Sequence, residues 1–315
     1  MKYSFPLYLL AKQSVDDRAL NKDVLATLKA SLPEGPLKIT EAGGGIGTML
    51  ARLLRWEVIG QAEYTLVDRE EENICFARDW LPAWARKHGF DVKACPPGEF
   101  EICDERRSVL VKLVQAELFD FIETKPEPAD LLVAHAFLDL LPMPESLGKL
   151  FTLTKNLAWL TLNFDGLTTL EPALDLDLDA RIVRFYHQTM DSRPDGGDSL
   201  SGRHLFGYLK QAGAEIVSAG ASDWVVYPAD GQYPLEEAYF LQFILHFFEE
   251  SLTGHPGLQS SALIDWLAKR RQQVERGELI YIAHQMDFLC RVPSPRRGAP
   301  FKDNRGQGAG RNTTV

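Results

Sequence analysis

The chain has 315 residues, 45% of them hydrophobic, which suffices for a sizeable core and excludes a disordered chain or a coiled coil. The 44 acidic residues outnumber 34 basic ones for a formal charge of −10, which opposes non-specific attraction to nucleic acid or an anionic membrane surface. Cys75, Cys95, Cys103 and Cys290 form no C-x-x-C pair, and neither a signal peptide nor a run of 18 apolar residues is present, so a cytoplasmic setting with reduced thiols is expected.

In chain order, residues 1–36 read as an N-terminal helical segment. Tyr3 to Leu10 is apolar, and Ser14-Val15-Asp16-Asp17-Arg18 has the form of a cap with acids in the first turn. It predicts a helix through Leu20, Val24, Leu25 and Leu28 to Ser31. Leu37 to Glu41 is a short apolar run ending in an acid. Glycines then follow in a G-x-G-x-G frame at Gly43, Gly45 and Gly47, and an amphipathic stretch runs from Met49 to Trp56, so the order is strand, tight turn, helix. Such glycines permit positive φ and let the backbone approach a ligand. The frame is not a dinucleotide fingerprint, whose last position falls on Thr48 or Leu50, and no Lys-Ser/Thr pair makes a Walker loop. A second apolar run, Tyr64 to Val67, ends in Asp68, where an acid can accept both hydroxyls of a ribose.

A helix is expected through Ile74, Ala77, Trp80, Leu81 and Trp84, a loop at Cys95-Pro96-Pro97-Gly98, and a third strand over Ser108 to Val114. Asp130 to His135 reads as the fourth strand, Glu145 to Leu150 as a helix start, and Asn156 to Phe164 as the fifth strand, closed by a turn at Asp165-Gly166. Residues 167–200, with Asp175-Leu176-Asp177-Leu178-Asp179, read as a cap beyond the carboxyl ends of the strands. A helix from Ser201, a sixth strand from Ala214 to Pro228 bent at Gly220, helices over Pro234–Leu252 and Ser260–Arg276, and a last strand from Gly277 to Leu289 complete the pattern. The glycine- and arginine-rich tail, 292–315, reads as disordered.

Glu41-x-Gly43-x-Gly45-x-Gly47 with Asp68 resembles the class I S-adenosylmethionine-dependent methyltransferases, by motif over about residues 37–165 and beyond that by element order. The resemblance implies an α/β fold: a Rossmann-like doubly wound seven-stranded sheet with the last strand antiparallel, helices on both faces, and helical insertions forming a cap. The methyltransferase domain would span 37–291, with insertions at about 167–200 and 234–276. Carried over residue by residue, Glu41, Gly43, Gly45 and Gly47 would flank the methionine part of S-adenosyl-L-methionine, Asp68 its ribose, and Glu117 with Leu118 its adenine. Arg18 would meet its carboxylate. No Asn-Pro-Pro-Tyr tetrad follows the fourth strand, which argues against the amino-methylating nucleic-acid enzymes.

Methyl transfer needs mainly positioning and exclusion of water, with a base only where the acceptor must lose a proton. His135, at the end of the fourth strand, is the candidate for contact with the transferred group. His187, from the cap, is the candidate general base, because a histidine pKa can lie near working pH. Tyr186, Asp191, Arg193 and Arg203 are candidate substrate contacts, and no cluster has metal spacing. The expected function is transfer of a methyl group to the oxygen, nitrogen or carbon of a small organic molecule. The alternatives are a protein or RNA methyltransferase and a non-catalytic scaffold that keeps the fold; homo-oligomerisation is left open.

Overall fold

The computed structural model describes residues 3–96, 98–194 and 196–293. The sheet grows outward from β1 (Leu37–Ala42), buried along nearly its whole length, as only a central strand with both faces covered can be. α4 (Thr48–Arg55) follows the glycine turn; β2 (Gln61–Asp68) and α5 (Glu71–Lys87) come next. A hairpin of β3 (Asp91–Ala94) and β4 (Glu99–Cys103) leads into β5 (Ser108–Gln115). α6 (Leu118–Glu123), β6 (Ala129–His135), α7 (Glu145–Leu150) and the long β7 (Thr154–Glu171) complete the first half. α8 (Leu176–Asp191), α9 (Ser201–Gln211), β8 (Glu215–Ala221), β9 (Trp224–Val226), α10 (Glu237–Leu252), α11 (Ser260–Glu275) and β10 (Ile280–Arg291) make the second.

Across the sheet the order is β3-β4-β5-β2-β1-β6-β7-β10-β8, with β9 also on β10. β5, β2, β1, β6 and β7 are parallel, and β10 enters antiparallel between β7 and β8. The doubly wound architecture and the antiparallel last strand are as expected. Among the described residues the strands number ten rather than seven, because residues 91–103 pair as a hairpin around the loop expected at 95–98 and because β9 is a separate piece. Pro97 of that loop, and the whole tail from 294, lie outside the described residues. Chain order reverses at β1, between β2 and β6, which opens a crevice at their carboxyl ends.

Three further expectations are corrected. The N-terminal helix is three: α1 (Phe5–Ala11), α2 (Gln13–Ala19) and α3 (Lys22–Ser31). Leu20 is extended, and Asn21, not Ser14, caps α3 by accepting from the N–H groups of Asp23 and Val24. Asp165-Gly166 is a bulge and not a turn: Gln285 pairs with Phe164 and Ala283 with Thr168, so three residues of β7 lie opposite His284. Residues 168–171, read as cap, therefore continue the sheet. The sixth strand breaks at Ser222-Asp223 into β8 and β9, past the bend expected at Gly220.

Apolar side chains collect in three clusters. Val24, Leu28, Met49, Leu50, Ile74 and Leu81 cover one face of the sheet, and Leu118, Ile122, Leu147, Leu150, Leu205 and Leu209 cover the other. The third joins Tyr8 of α1 and Ile182 of α8 to the aromatic α10 and to Trp266 of α11, packed on Leu170 and Tyr281 where β7 and β10 extend past the rest of the sheet. That cluster walls one side of the crevice. No helix among the described residues is long and apolar enough to cross a membrane.

Candidate functional site

The glycine turn sits at the carboxyl end of β1. Gly43 and Gly45 hold φ of 66° and 56°, which side chains rarely adopt, and a Cβ at either would collide with the ring of Phe137 or with Leu9. Asp68, at the end of β2, anchors the turn: its Oδ2 accepts from Gly45 N–H at 2.8 Å. Its Oδ1 accepts from Glu70 N–H at 2.9 Å and from Asn73 Nδ2 at 3.1 Å. A carboxylate offers about four lone-pair sites, so roughly one acceptor site remains. Glu41 is buried with no cation at hydrogen-bond distance among the described residues; Tyr64 Oη donates to its Oε2 at 2.7 Å. Burial pushes the Glu41 carboxyl up to about 8, the Tyr64 hydrogen bond opposing.

These groups open into a cleft of about 750 Å³. Glu41, Gly43, Gly45, Asp68, Glu117 and Leu118 line it, together with aromatic rings, Asp139 and Arg193. The structure thus brings into one cleft six of the eight residues that the resemblance assigns to the cofactor. Gly47 is not among them: it begins α4 and packs on Leu81, where a Cβ would clash.

Arg18 is displaced as well. Its Nη2 donates to Glu237 Oε2 at 2.8 Å and its Nη1 to Oε1 at 2.5 Å, clamping α2 to α10 outside the cleft. Glu237 is fully buried, with Ser14 Oγ its other partner at 2.7 Å. Arg18→Ala is therefore expected to lower stability by about 1–3 kcal/mol, as a buried charge loses its partner, while leaving ligand affinity in the cleft unchanged. Urea unfolding alongside ligand titration checks both halves.

His135 does line the cleft, but both ring nitrogens are engaged: Nδ1 with Thr161 Oγ1 at 2.8 Å and Nε2 with Asp16 Oδ2 at 3.0 Å. Burial, partly opposed by Asp16, lowers its pKa to about 4, so it is neutral at pH 7. Its role here is in a buried polar network, with no nitrogen spare for a transferred group. His187 faces away from the cleft, into a shallower recess behind Thr168, whose Oγ1 is 3.1 Å from Nε2. That placement does not suit the base assigned to it. Asp191 lines that same recess and accepts from Ser199 N–H at 2.7 Å. Arg203 is spent on Asp165, with Nε at 2.8 Å from Oδ1 and Nη2 on the Asp165 carbonyl at 2.9 Å. Of the four candidate substrate groups, Tyr186 and Arg193 alone reach the cleft.

The sequence reading missed the cluster beneath His135. Asp16, fully buried, accepts from Lys12 Nζ at 2.7 Å, Arg52 Nη2 at 3.1 Å and Trp224 Nε1 at 2.9 Å, besides His135. Burial alone would raise Asp16, yet Lys12, His135 and Arg52 together hold it well below the ordinary aspartate range. Arg52 Nε adds Asp17 Oδ1 at 2.5 Å. One signal was available: Arg52 stands amid the apolar run of α4, every other residue of which from Thr48 to Leu54 is buried. Tyr8, Trp224 and Tyr281, also in the cleft, carried none, whereas Asp139 closes the stretch from Asp130 that the resemblance makes the floor of the methyl-transfer site.

No family model matches the chain, and no curated protein matches it in sequence. Among solved structures, an S-adenosylmethionine-dependent methyltransferase from Thiobacillus denitrificans, in complex with S-adenosyl-L-homocysteine, is 12% identical with a TM-score of 0.46, over 93% of this chain and 100% of that one. A cyclopropane synthase from Mycobacterium tuberculosis is 11% identical with a TM-score of 0.46, over 91% of this chain and 94% of that one.

Proposed function

We propose that the protein is an S-adenosylmethionine-dependent methyltransferase acting on a small organic molecule. The observation that carries the reading is the convergence, in one cleft, of a glycine turn and two carboxyl groups, Glu41 just before the turn and Asp68 bonded to it. The donor set fits the cofactor. Gly43 and Gly45 bring bare backbone to the cleft between Phe137 and Leu9, Asp68 keeps acceptor capacity suited to a ribose hydroxyl, and Glu41 is a buried carboxyl with no cation at hydrogen-bond distance among the described residues. Glu117 and Leu118 line the cleft where the adenine would lie, and its size is in the range of small-molecule sites, about 300–1,000 Å³. When bound, S-adenosylmethionine supplies a methyl carbon on a sulfonium leaving group. The chain's own contribution is to hold that group and the acceptor in line, with Leu9 of α1 lying over Gly45 of the turn.

Glu41 offers a test independent of any acceptor. At pH 7 a carboxyl with a pKa of about 8 is mostly protonated, and a cation placed beside it favours the charged form, so its pKa falls and the proton leaves. Binding of S-adenosylmethionine at pH 7 is thus expected to release close to one proton, seen by calorimetry in buffers of different ionisation heat. Release should be smaller with S-adenosylhomocysteine, which lacks the sulfonium charge, and absent in Glu41→Gln. NADH serves as the negative control. Failure of the folded protein to bind either sulfur nucleoside sinks the reading.

A further inference from the structure

We infer that the methyl acceptor is an amine, bound as its ammonium ion between the Asp139 carboxylate and the rings of Tyr8 and Tyr186. The inference rests on the methyltransferase reading and names the substrate class of the same cleft.

Position comes first. Leu9 lies over Gly45 and Phe137 over Gly43, so α1 and the turn after β6 both border the glycine loop. Tyr8 is the neighbour of Leu9, Asp139 follows Phe137 by two residues, and both line the cleft. Both residues therefore belong to elements that border the glycine loop. Tyr186 of α8 lines the same space, and Asp139 is close enough for its charge to act on Tyr8, Lys12 and Tyr186.

Chemistry comes second. Among the described residues, the hydroxyls of Tyr8 and Tyr186 and the carboxylate of Asp139 make no hydrogen bond to another side chain, although all three are in the cleft. Polar groups left open in a largely apolar chamber are suited to a ligand. The wall around them is aromatic: Tyr8 stacks on Phe243 at 4.6 Å and Tyr186 on Phe248 at 4.1 Å, with Phe164, Phe247 and Trp224 beyond. Carboxylate, phenol oxygens and π faces all attract a cation. Three bases line the cleft. Lys12 is committed to Asp16 at 2.7 Å and Arg69 to Glu70 at 2.8 Å, and Arg193, which is exposed, acts on Asp139 through its charge without forming an ion pair among the described residues. An anionic acceptor would meet Asp139 unfavourably, and a carboxyl group is too weak a base for an aliphatic alcohol.

An ammonium nitrogen has no lone pair, so one proton must leave first. The groups facing Asp139 are Arg193, Lys12, Asp198, Tyr8 and Tyr186; burial raises its pKa and the charge of Arg193 opposes, which leaves it able to take that proton. The freed nitrogen pair forms the N–C bond as the C–S bond breaks, and the bonding pair stays on sulfur. The sulfonium becomes a neutral thioether, the product amine carries the positive charge, and Asp139 holds the first proton.

The test uses the full chain. With S-adenosylhomocysteine bound, calorimetry with benzylamine, benzyl alcohol and benzoate should show the amine binding at least about tenfold tighter than either analogue, as one charge-assisted contact provides. With methyl-labelled S-adenosylmethionine and a mixed panel of primary and secondary amines, phenols and carboxylic acids, label should enter amines alone. Asp139→Asn should cut that labelling by about 100-fold or more with unchanged S-adenosylhomocysteine affinity, and Asp139→Glu should restore part of it. Label on phenols or acids, amine labelling indifferent to Asp139→Asn, or cofactor binding with no amine labelled would each overturn the inference. Absence of S-adenosylhomocysteine binding would instead overturn the methyltransferase reading, and this one with it.

Discussion

Asp16→Ala is expected to cost about 3–5 kcal/mol of stability, the largest single-residue effect in the molecule away from its apolar core. Asp16 is the shared counter-ion of Lys12 and Arg52, both buried, and the acceptor for His135 and Trp224. Removing it strands two cations in a low-dielectric interior, where each bears its desolvation penalty uncompensated. Asp17 continues to serve Arg52 and tempers the loss on that side. For a protein whose whole stability is of order 5–15 kcal/mol, the variant is expected to unfold at a much lower urea concentration or to be recovered poorly. A shift of the midpoint equivalent to less than about 1 kcal/mol would show that the cluster is solvated rather than buried.

The same cluster sets the acid limit. His135 has a folded pKa lowered to about 4, so the unfolded chain takes up its proton first, and stability is lost as pH falls from about 6.5 toward 4. Asp16, with its folded pKa depressed, adds stability above the ordinary aspartate pKa of about 3.9 that erodes as pH falls further. Glu41 acts in the opposite sense. Its folded pKa is raised to about 8, so ionisation in the unfolded state erodes stability as pH climbs from about 4.3 toward that value.

Asp68→Ala is expected to weaken S-adenosylmethionine binding by roughly 100-fold or more. One charge-assisted hydrogen bond to a ribose hydroxyl is worth about 1.5–3 kcal/mol, or about one to two decades in affinity. The substitution also frees the N–H groups of Gly45 and Glu70 and the Asn73 amide, which the carboxylate now holds, so the turn loses its anchor. Asp68→Asn separates the two effects: one amide oxygen can still serve Gly45 while the charge is gone, and an intermediate loss is expected. Calorimetric titration of both variants measures this, and near-wild-type affinity for Asp68→Ala would remove Asp68 from the ligand site.

What the sequence determined by itself was local. An apolar run ending in Glu41, glycines in alternate positions and a second run ending in Asp68 form a strand, a turn and a strand end because each depends on neighbours a few residues away. Parallel register then brings the two ends together, with Ala42 opposite Val67 and Gly45 bonded to Asp68. The succession of elements along the chain was legible for the same reason, apart from the hairpin at 91–103, whose short strands had been hidden by a proline-rich loop, and the break between β8 and β9.

Only the tertiary structure decided how the charged side chains pair. Asp16 looks like a first-turn helix acid, yet its partners lie on α4, β6 and β9, in the case of Trp224 208 residues away in sequence. Arg18 looks free to meet a carboxylate, and Glu237, 219 residues away, takes it. His187 occupies the expected cap helix but lies behind Thr168, because helix rotation, fixed by the packing of Ile182 and Tyr186, directs it away from the cleft. Periodicity tells which face of an element is apolar. Which distant group meets a polar side chain depends on how whole elements pack, and no local pattern carries that information.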